Sequence, residues 1–333
     1  MLLMSCLTAL VFVVGSMIRS RQKIDLTQPI EFIDGSFWVG RKRIPRLRLL
    51  WRPEWNDKFF EYFTQRQSRE LIEQEVEIST FFRQLETDQA FLGFSGSDAL
   101  ITDFNLDGPH LLVVGPTGSG KSKLLQLICG SIFAASNNNQ AVFGFIDFKG
   151  GATFDRLRGE RILFSVSDLK PDQFATAIAQ LSNEIARREK LLAKFRAANI
   201  FELRQLGQEV PTLFIFCDEF ASMIRFSALA GNTFEELLSK GRSLGLIVIM
   251  ASQSLAGIPR SMLVNVRQKI ALQGVDPVDL HLLGFSRSSA APKVTPENGL
   301  SAVWLGATAD SKSFVFPAGF SLEKTFANRQ FSV

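Results

Sequence analysis

Cysteine and histidine are scarce in this chain. Its 333 residues include three cysteines, Cys6, Cys129 and Cys217, and two histidines, His110 and His281. No two cysteines have the C-x-x-C spacing, so the sequence excludes a disulfide framework and a Cys/His zinc cluster. So few cysteines are typical of a protein in a reducing compartment.

The sequence also has no internal repeat and no strong charge of one sign. Of its residues 46% are hydrophobic and 21% are charged, which excludes disorder as the main state. The 37 Lys and Arg residues oppose 33 Asp and Glu residues, giving a formal net charge of +4. This mild basic excess permits an anionic partner without identifying one. The length favours one large α/β domain with extensions.

The first eighteen residues, MLLMSCLTALVFVVGSMI, carry no charge. As an α-helix rising about 1.5 Å per residue they would extend about 27 Å, close to the thickness of bilayer hydrocarbon. Arg19, Arg21 and Lys23 follow this run, and no basic residue precedes it. The asymmetry predicts a single transmembrane helix over residues 1–18, with the remainder cytoplasmic and the protein in the cell membrane. The alternatives are a cleaved signal sequence, the end of a longer membrane region, and a core helix.

Residues 19–90 predict a basic juxtamembrane and helical linker. The stretch RKRIPRLRLLWRP, residues 41–53, places six basic residues among leucines and a tryptophan. This composition suits anionic headgroups or, equally, a phosphate backbone. Pro45 and Pro53 interrupt a continuous amphipathic helix, so a solvated basic strand is the alternative. From Asn56 to Gln89 apolar residues recur at helical spacing and predict one or two helices.

From residue 91 onward, apolar runs of strand length alternate with helical patterns. A helix is predicted from Pro171, where apolar residues recur at steps of three, four or seven. The alternation predicts an α/β domain over residues 91–333, with a mostly parallel central sheet and helices on both faces. The clearest strand-like runs are LLVVG (111–115), AVFGFID (141–147), TLFIFCDE (212–219) and LIVIMASQ (246–253).

The segment GPTGSGKS, residues 115–122, has the spacing G-x-x-x-x-G-K-[ST] of a phosphate-binding loop. It lies between a predicted strand and a predicted helix, as that motif requires. Its glycines allow successive N–H groups to face phosphate oxygens, Lys121 would neutralise the β- and γ-phosphates, and Ser122 would ligate Mg²⁺. The predicted cofactors are therefore ATP and Mg²⁺. The predicted binding residues are Gly115, Pro116, Thr117, Gly118, Ser119, Gly120, Lys121 and Ser122.

Two neighbouring acids end the run TLFIFCDE. Asp218 is predicted to hold the hydration shell of Mg²⁺, and Glu219 to act as general base or to orient the attacking water; helix capping is the structural alternative for either. Gln253 ends the next strand-like run, where its amide can hydrogen-bond the γ-phosphate or the water. Arg242 precedes that strand, remote from the nucleotide edge of its own sheet, so it can reach the site of a neighbouring copy. The alternatives are a surface charge for Arg242 and a structural role for Gln253.

Four segments resemble, in this order, the FtsK/SpoIIIE family of membrane-anchored hexameric ATPases. They are PHLLVVGPTGSGKS, IDFKGG, FIFCDEFASM and KGRSLGLIVIMASQS. The family has DNA translocases on one branch and type VII secretion ATPases on another. The resemblance covers residues 91–310 and implies a RecA-like fold, a hexameric ring and ATP-driven movement of a polymer through a central pore. It also implies that Gln253 senses the γ-phosphate and that Arg242 acts in trans.

Details of the resemblance qualify this picture. The spelling IDFKGGATF leans toward the secretion branch, and LGFSGSDALITDFN resembles the strand pair that the family places ahead of its phosphate-binding loop. Pro277 stands where chromosome translocases often place a second trans-acting lysine, so that contact is not expected. Fewer than thirty residues follow Trp304, which suits two edge strands and a tail without a winged-helix DNA reader.

The sequence favours an ATP-driven DNA translocase that pumps plasmid or element DNA during transfer or partitioning. Without a reader domain its grip on DNA would be largely independent of base sequence, with Arg260, Arg267 and Lys269 as candidate phosphate contacts, although a solvated face explains them equally. The second hypothesis is a type VII-like protein secretion ATPase, although those proteins usually string several ATPase domains together. The third is a non-translocating, ATP-regulated scaffold, against which the intact pair Asp218 and Glu219 argues.

Overall fold

The structure is a computed structural model. It describes residues 30–33, 36–39, 42–44, 82–96, 98–137, 139–151, 153–154, 157–285, 299–306, 311–320 and 322. The predicted transmembrane helix over residues 1–18 and most of the predicted linker lie outside these ranges. Across the described ranges, no helix has both the length and the apolar character needed to cross a membrane.

The chain divides into two compact units, residues 1–59 and 60–333. In the first unit three short strands pair antiparallel in the order β1-β2-β3: β1 (Ile30–Ile33), β2 (Ser36–Val39) and β3 (Lys42–Ile44). Within the segment predicted as a linker, the structure therefore forms a small sheet, and the basic stretch 41–53 contributes its third strand.

A ten-stranded sheet forms the framework of the second unit, in the order β5-β4-β13-β12-β11-β6-β10-β9-β7-β8. The strands are β4 (Gln89–Ser95), β5 (Asp98–Asp103), β6 (His110–Val114), β7 (Ala141–Asp147), β8 (Ile162–Ser167), β9 (Thr212–Asp218), β10 (Leu246–Ser252), β11 (Gln268–Leu272), β12 (Gly299–Leu305) and β13 (Ser311–Pro317). The helices are α1 (Lys121–Ala135), α2 (Pro171–Phe195), α3 (Ile200–Gln205), α4 (Phe220–Phe226), α5 (Ala228–Leu244), α6 (Arg260–Asn265) and α7 (Pro277–Leu283).

The sheet has a parallel part and an antiparallel part. Strands β11, β6, β10, β9, β7 and β8 run parallel to their neighbours in this group. Strands β12, β13, β4 and β5 extend the sheet in antiparallel order from β11. The predicted α/β fold with a mostly parallel sheet is confirmed, and so is the β4–β5 strand pair ahead of the phosphate-binding loop.

Burial explains why the central strands read as continuous apolar runs. Every residue of β6, β9 and β10 is buried, because helices cover both faces of the parallel part. Alternate residues along β9 separate into two cores: Phe214 and Phe216 pack on the α1 side, whereas Leu213 and Ile215 pack on the side of α2 and α5. The prediction of helices on both faces is therefore confirmed.

The prediction that edge strands lie at the end of the chain was wrong. Trp304 lies inside β12, and β13 follows it within the described residues. Both β12 and β13 are interior strands, because β13 pairs with β4 and β5 forms the sheet edge. Strands β8 and β11 were not predicted. In β8, ILFSVS, polar residues interrupt the apolar run and Leu163 is exposed at the other edge of the sheet.

Candidate nucleotide site

The phosphate-binding loop connects β6 to α1, as its spacing predicts. Two of its glycines are required by geometry. A Cβ on Gly115 would lie 2.5 Å from Ser119 Oγ and 2.8 Å from Leu272 Cβ, and Gly120 has φ +101° in the left-handed region. Ser119 closes the turn by donating from Oγ to the carbonyl of Pro116 over 2.8 Å. Pro116, Thr117 and Gly118 form the exposed outer part of the loop.

Lys121 is the first residue of α1 and is only 3% exposed. Its Nζ donates to the carbonyl oxygens of Gly115, over 2.6 Å, and Pro116, over 3.0 Å. Burial lowers the pKa of this ammonium; the negative charge of Glu219 and then that of Asp218 oppose the shift, and the positive charge of Lys149 adds to it. Lys121 therefore lies across its own loop with both acids close enough to act on its charge.

Asp218 accepts hydrogen bonds from two separate elements, α1 and the loop after β7. Its Oδ2 accepts hydrogen bonds from Ser122 Oγ over 2.6 Å and from Thr153 Oγ1 over 2.8 Å. Its Oδ1 is buried and has no hydrogen-bond partner among the described residues; the same holds for Glu219 Oε2. Buried carboxylate oxygens without partners are costly unless a ligand serves them. Because Mg²⁺ takes carboxylate and hydroxyl oxygens together with phosphates and waters, these residues fit it.

Glu219 makes the turn from β9 into α4 alone. Asp218 is the last residue of the strand, Phe220 is the first of the helix, and Glu219 between them has φ +63° and ψ +55°. Such a left-handed conformation costs a non-glycine residue about 1–3 kcal/mol and clusters at functional sites. Successive residues of a strand face opposite sides of a sheet, and the turn at Glu219 interrupts that alternation; both adjacent carboxylates act on the charge of Lys121.

The strand register places the remaining groups at the carboxyl ends of the parallel strands, which form the edge of the sheet where the phosphate-binding loop begins. Ser252 pairs with Val114, so Gln253 follows β10 beside the start of the phosphate-binding loop, and the N–H of Gly115 donates to the carbonyl of Ser252 over 3.2 Å. Strand β10 lies between β6 and β9, which ends in Asp218. The side chain of Gln253 is exposed at this edge. The structure therefore brings together the loop, the acidic pair and Gln253.

Arg242 lies at the amino ends of the parallel strands, opposite to the ends that carry the phosphate-binding loop and the acidic pair. It belongs to the last turn of α5, ahead of β10 and not within it, and its exposed guanidinium donates from Nη2 to the carbonyl of Asn105 over 3.1 Å. The seven residues of β10, which lie between Arg242 and Gln253, extend about 23 Å at about 3.3 Å per residue. Arg242 is therefore not part of the nucleotide site of its own chain.

The three candidate DNA contacts do not share one position. Arg260 is the first residue of α6 and is exposed, and Arg267, just before β11, is exposed as well. Lys269 lies within β11, half-buried between β6 and β12, and burial lowers its pKa. Two of the three candidates are thus available on the surface, whereas Lys269 is part of the sheet.

No role at the site was assigned from the sequence to Asp147 and Thr153, which lie beside Asp218. Asp147 ends β7 in register with Asp218, and its two oxygens accept from the N–H groups of Lys149, over 2.8 Å, and Thr153, over 2.7 Å. Burial raises the pKa of this carboxyl, and those hydrogen bonds oppose the shift. The IDFKGGATF motif contained the signal, because an acid at the end of a strand next to β9 must lie beside Asp218.

Comparison with known proteins identifies the class. The FtsK/SpoIIIE family model matches residues 84–292, and the chain belongs to this family. Among curated proteins, type VII secretion system protein EssC of Staphylococcus aureus is 29% identical over 223 residues, which are 62% of this chain and 15% of EssC. ESX secretion system protein YukB of Bacillus subtilis is 30% identical over 205 residues, covering 56% of this chain and 13% of YukB.

Solved structures share the fold. The cytoplasmic domain of the type VII secretion ATPase EccC of Thermomonospora curvata aligns with a TM-score of 0.60 and 24% identity, over 69% of this chain and 28% of that one. The pCW3 conjugation coupling protein TcpA, in its monomer form with ATPγS, aligns with a TM-score of 0.60 and 21% identity, over 75% and 73%. The chain spans only about 15% of the length of the curated relatives that it matches.

Proposed function

We propose that this protein is an Mg²⁺-dependent ATPase that drives the movement of a polymer. The observation that carries the proposal is the convergence of Lys121, Ser122, Asp218 and Glu219 at one edge of the sheet. When bound, Mg²⁺ would neutralise charge that develops on the phosphates. Ser122 and Asp218 would hold the cation, and Lys121 would bind the β- and γ-phosphates.

The remaining roles follow from position. Glu219, whose buried Oε2 has no partner in the described part of the chain, would accept a proton from the attacking water or orient it. Gln253, exposed at the same edge beside Gly115, would hydrogen-bond the γ-phosphate or that water. Phosphoryl transfer depends mainly on such positioning and charge neutralisation, which these five residues can supply together.

The cargo that we propose first is DNA, bound largely independently of its sequence. Exposed Arg260 and Arg267, together with the net charge of +4, support a grip on the phosphate backbone. Similarity in fold to a conjugation coupling protein is in keeping with this cargo. A polypeptide is the second candidate, because the sequence relatives with 29% and 30% identity are secretion system proteins.

Salt dependence tests the cargo. We expect DNA to stimulate ATP hydrolysis by the purified chain, and the stimulation to fall steeply between low and physiological salt, because phosphate contacts release condensed counterions. Arg260→Ala and Arg267→Ala should each reduce the slope of log affinity against log salt by about 1, whereas Lys190→Ala, an exposed position on α2, should not. Hydrolysis indifferent to DNA but stimulated by a secreted polypeptide would establish the second candidate.

We further propose that the protein works as a hexameric ring in which Arg242 reaches the neighbouring site. Its exposed position at the sheet edge opposite the nucleotide supports action in trans. The anchoring of this ring in the cell membrane by residues 1–18 is part of the same proposal, supported by their lack of charge and by the basic residues that follow.

Mixing inactive variants tests the shared site. Arg242→Ala subunits and Glu219→Gln subunits should each be inactive alone, and their mixture should recover part of the wild-type ATPase rate. In mixed rings some interfaces pair an intact Glu219 with an intact Arg242 from the neighbour. The control is a mixture of Glu219→Gln subunits with Lys121→Ala subunits. Each of these residues serves the nucleotide site of its own chain, so no interface in the mixture has a complete site and the mixture should stay inactive. Equal rates in the two mixtures would contradict the assignment of Arg242.

A further inference from the structure

Thr153 is held at three points by three different elements. Its N–H donates to Oδ2 of Asp147, at the end of β7, over 2.7 Å. Its carbonyl accepts from Nε2 of Gln126, on α1, over 3.1 Å. Its hydroxyl donates to Oδ2 of Asp218, at the end of β9, over 2.8 Å. The side chain is 9% exposed, so the position of this hydroxyl is set by the fold.

Asp147 and Asp218 have different hydrogen bonding. Each oxygen of Asp147 accepts from one backbone N–H group, that of Lys149 or that of Thr153, so Asp147 anchors the loop after β7. Asp218 instead has both of its donors on Oδ2, and its Oδ1 has no partner among residues that the structure describes. Asp147 therefore supports Thr153, and Thr153 in turn contacts Asp218.

Two donors fix the Asp218 carboxylate better than one. Ser122 lies on α1, which begins at the phosphate-binding loop, while Thr153 lies on the loop after β7, so the two hydroxyls approach Oδ2 from separate elements. A hydroxyl has one proton and two lone pairs, so Ser122 can donate to Asp218 and still offer a lone pair to a cation. The Thr153 hydroxyl is left to orient the carboxylate.

We propose that Thr153 is a positioning residue that orients Asp218 for Mg²⁺ when ATP binds. This inference rests on the proposed ATPase function, in which Asp218 is the carboxylate that serves the cation. Groups that hydrogen-bond a metal-binding carboxylate fix its orientation, and their removal typically costs about 10–100-fold in metal affinity or activity. The segment IDFKGGATF would then act at the site through two residues: Asp147 holds Thr153, and Thr153 orients Asp218.

The test compares Thr153→Val with Thr153→Ser in the full-length chain. Mn²⁺, which shares the preference of Mg²⁺ for octahedral oxygen ligands, is titrated in the presence of ATPγS and followed by electron paramagnetic resonance. We expect Thr153→Val to bind Mn²⁺ about 10-fold more weakly, and Thr153→Ser to bind it as the wild type does. Binding of ATPγS in EDTA should be the same in all three proteins, because the hydrogen bonds of Thr153 described above go to Asp147, Gln126 and Asp218 and none goes to the phosphate-binding loop.

Ser165→Ala is the matched control. Ser165 Oγ donates to the carbonyl of Phe154 over 3.3 Å, so this change removes a hydroxyl that holds the same segment without touching Asp218. Wild-type Mn²⁺ affinity in Thr153→Val, or an equal loss in Ser165→Ala, would overturn the positioning role.

If Thr153→Val does not fold, Gln126→Met removes the amide that holds the Thr153 carbonyl and should weaken Mn²⁺ binding in the same direction. Unchanged affinity in Gln126→Met would also overturn the role. A wild-type chain without nucleotide-dependent Mn²⁺ binding would remove the proposed function itself.

Discussion

Replacing Glu219 with glutamine is expected to lower kcat for ATP hydrolysis by about 10²–10⁴-fold while ATP still binds. Glutamine keeps the size and the backbone preferences of glutamate, so the left-handed turn at φ +63° should persist. It removes the negative charge and the basicity of a carboxylate that is 8% exposed and has an unpartnered Oε2 within the described residues. Single-turnover hydrolysis and equilibrium binding of a fluorescent ATP analogue measure the two effects separately.

Two further variants make the result specific. Lys121→Met should lose ATP binding, because it removes the ammonium that lies across the phosphate-binding loop. Glu235→Gln, the same chemical change at an exposed position of α5, should leave both binding and turnover unchanged. Turnover at the wild-type rate by Glu219→Gln would exclude Glu219 from the mechanism, and loss of ATP binding in that variant would indicate a binding role instead.

The site residues with local signals were predictable from the sequence. Lys121 and Ser122 follow from a motif whose spacing and strand-to-helix context occur within about a dozen residues of chain, and Asp218 and Glu219 end an uninterrupted apolar run. Parallel strands bring their carboxyl ends to one edge, so the convergence of these residues follows from the fold class. That Glu219 turns the chain in a left-handed conformation did not follow, because such a conformation is uncommon for residues other than glycine and glutamate carries no local signal for it.

Features that depend on distant pairing were not predictable in the same way. The antiparallel part of the sheet places β13 between β12 and β4, which are separated by about 200 residues in sequence. Periodicity predicted an apolar stripe along α2, of which four members are buried and the last two are half-buried. The six predicted members are Phe174, Ile178, Leu181, Ile185, Leu192 and Phe195. Periodicity did not identify Arg188, which continues that stripe, because the groups that make burial of an arginine favourable lie elsewhere in the chain.

Arg188 is the second position where a single substitution should have a large effect. Its side chain is 1% exposed, and its Nε pairs with Glu184 Oε1 over 2.7 Å. Nη1 donates to the carbonyls of Leu244, over 2.7 Å, and Gly245, over 3.0 Å, and Nη2 donates to that of Pro211 over 2.9 Å. One guanidinium therefore joins α2 to the end of α5 and to the segment that enters β9.

Arg188→Met is expected to lower the free energy of unfolding by about 3–5 kcal/mol, the usual cost of removing one partner from a buried charged network. Methionine fills much of the volume but donates no hydrogen bond, so the buried carbonyl of Leu244 and the half-buried carbonyl of Pro211 lose the guanidinium, whereas that of Gly245 still accepts from the N–H of Leu213. Arg187→Met is the matched control, because Arg187 also pairs with Glu184 but is 52% exposed, and it should cost less than about 1 kcal/mol.

Urea unfolding midpoints measure the loss of stability in both variants. Equal losses would mean that the ion pair with Glu184, and not the carbonyl contacts, stabilises this junction. A much larger loss at Arg188 would instead show that its contacts with the backbone carbonyls stabilise the junction between α2, the end of α5 and the segment that enters β9.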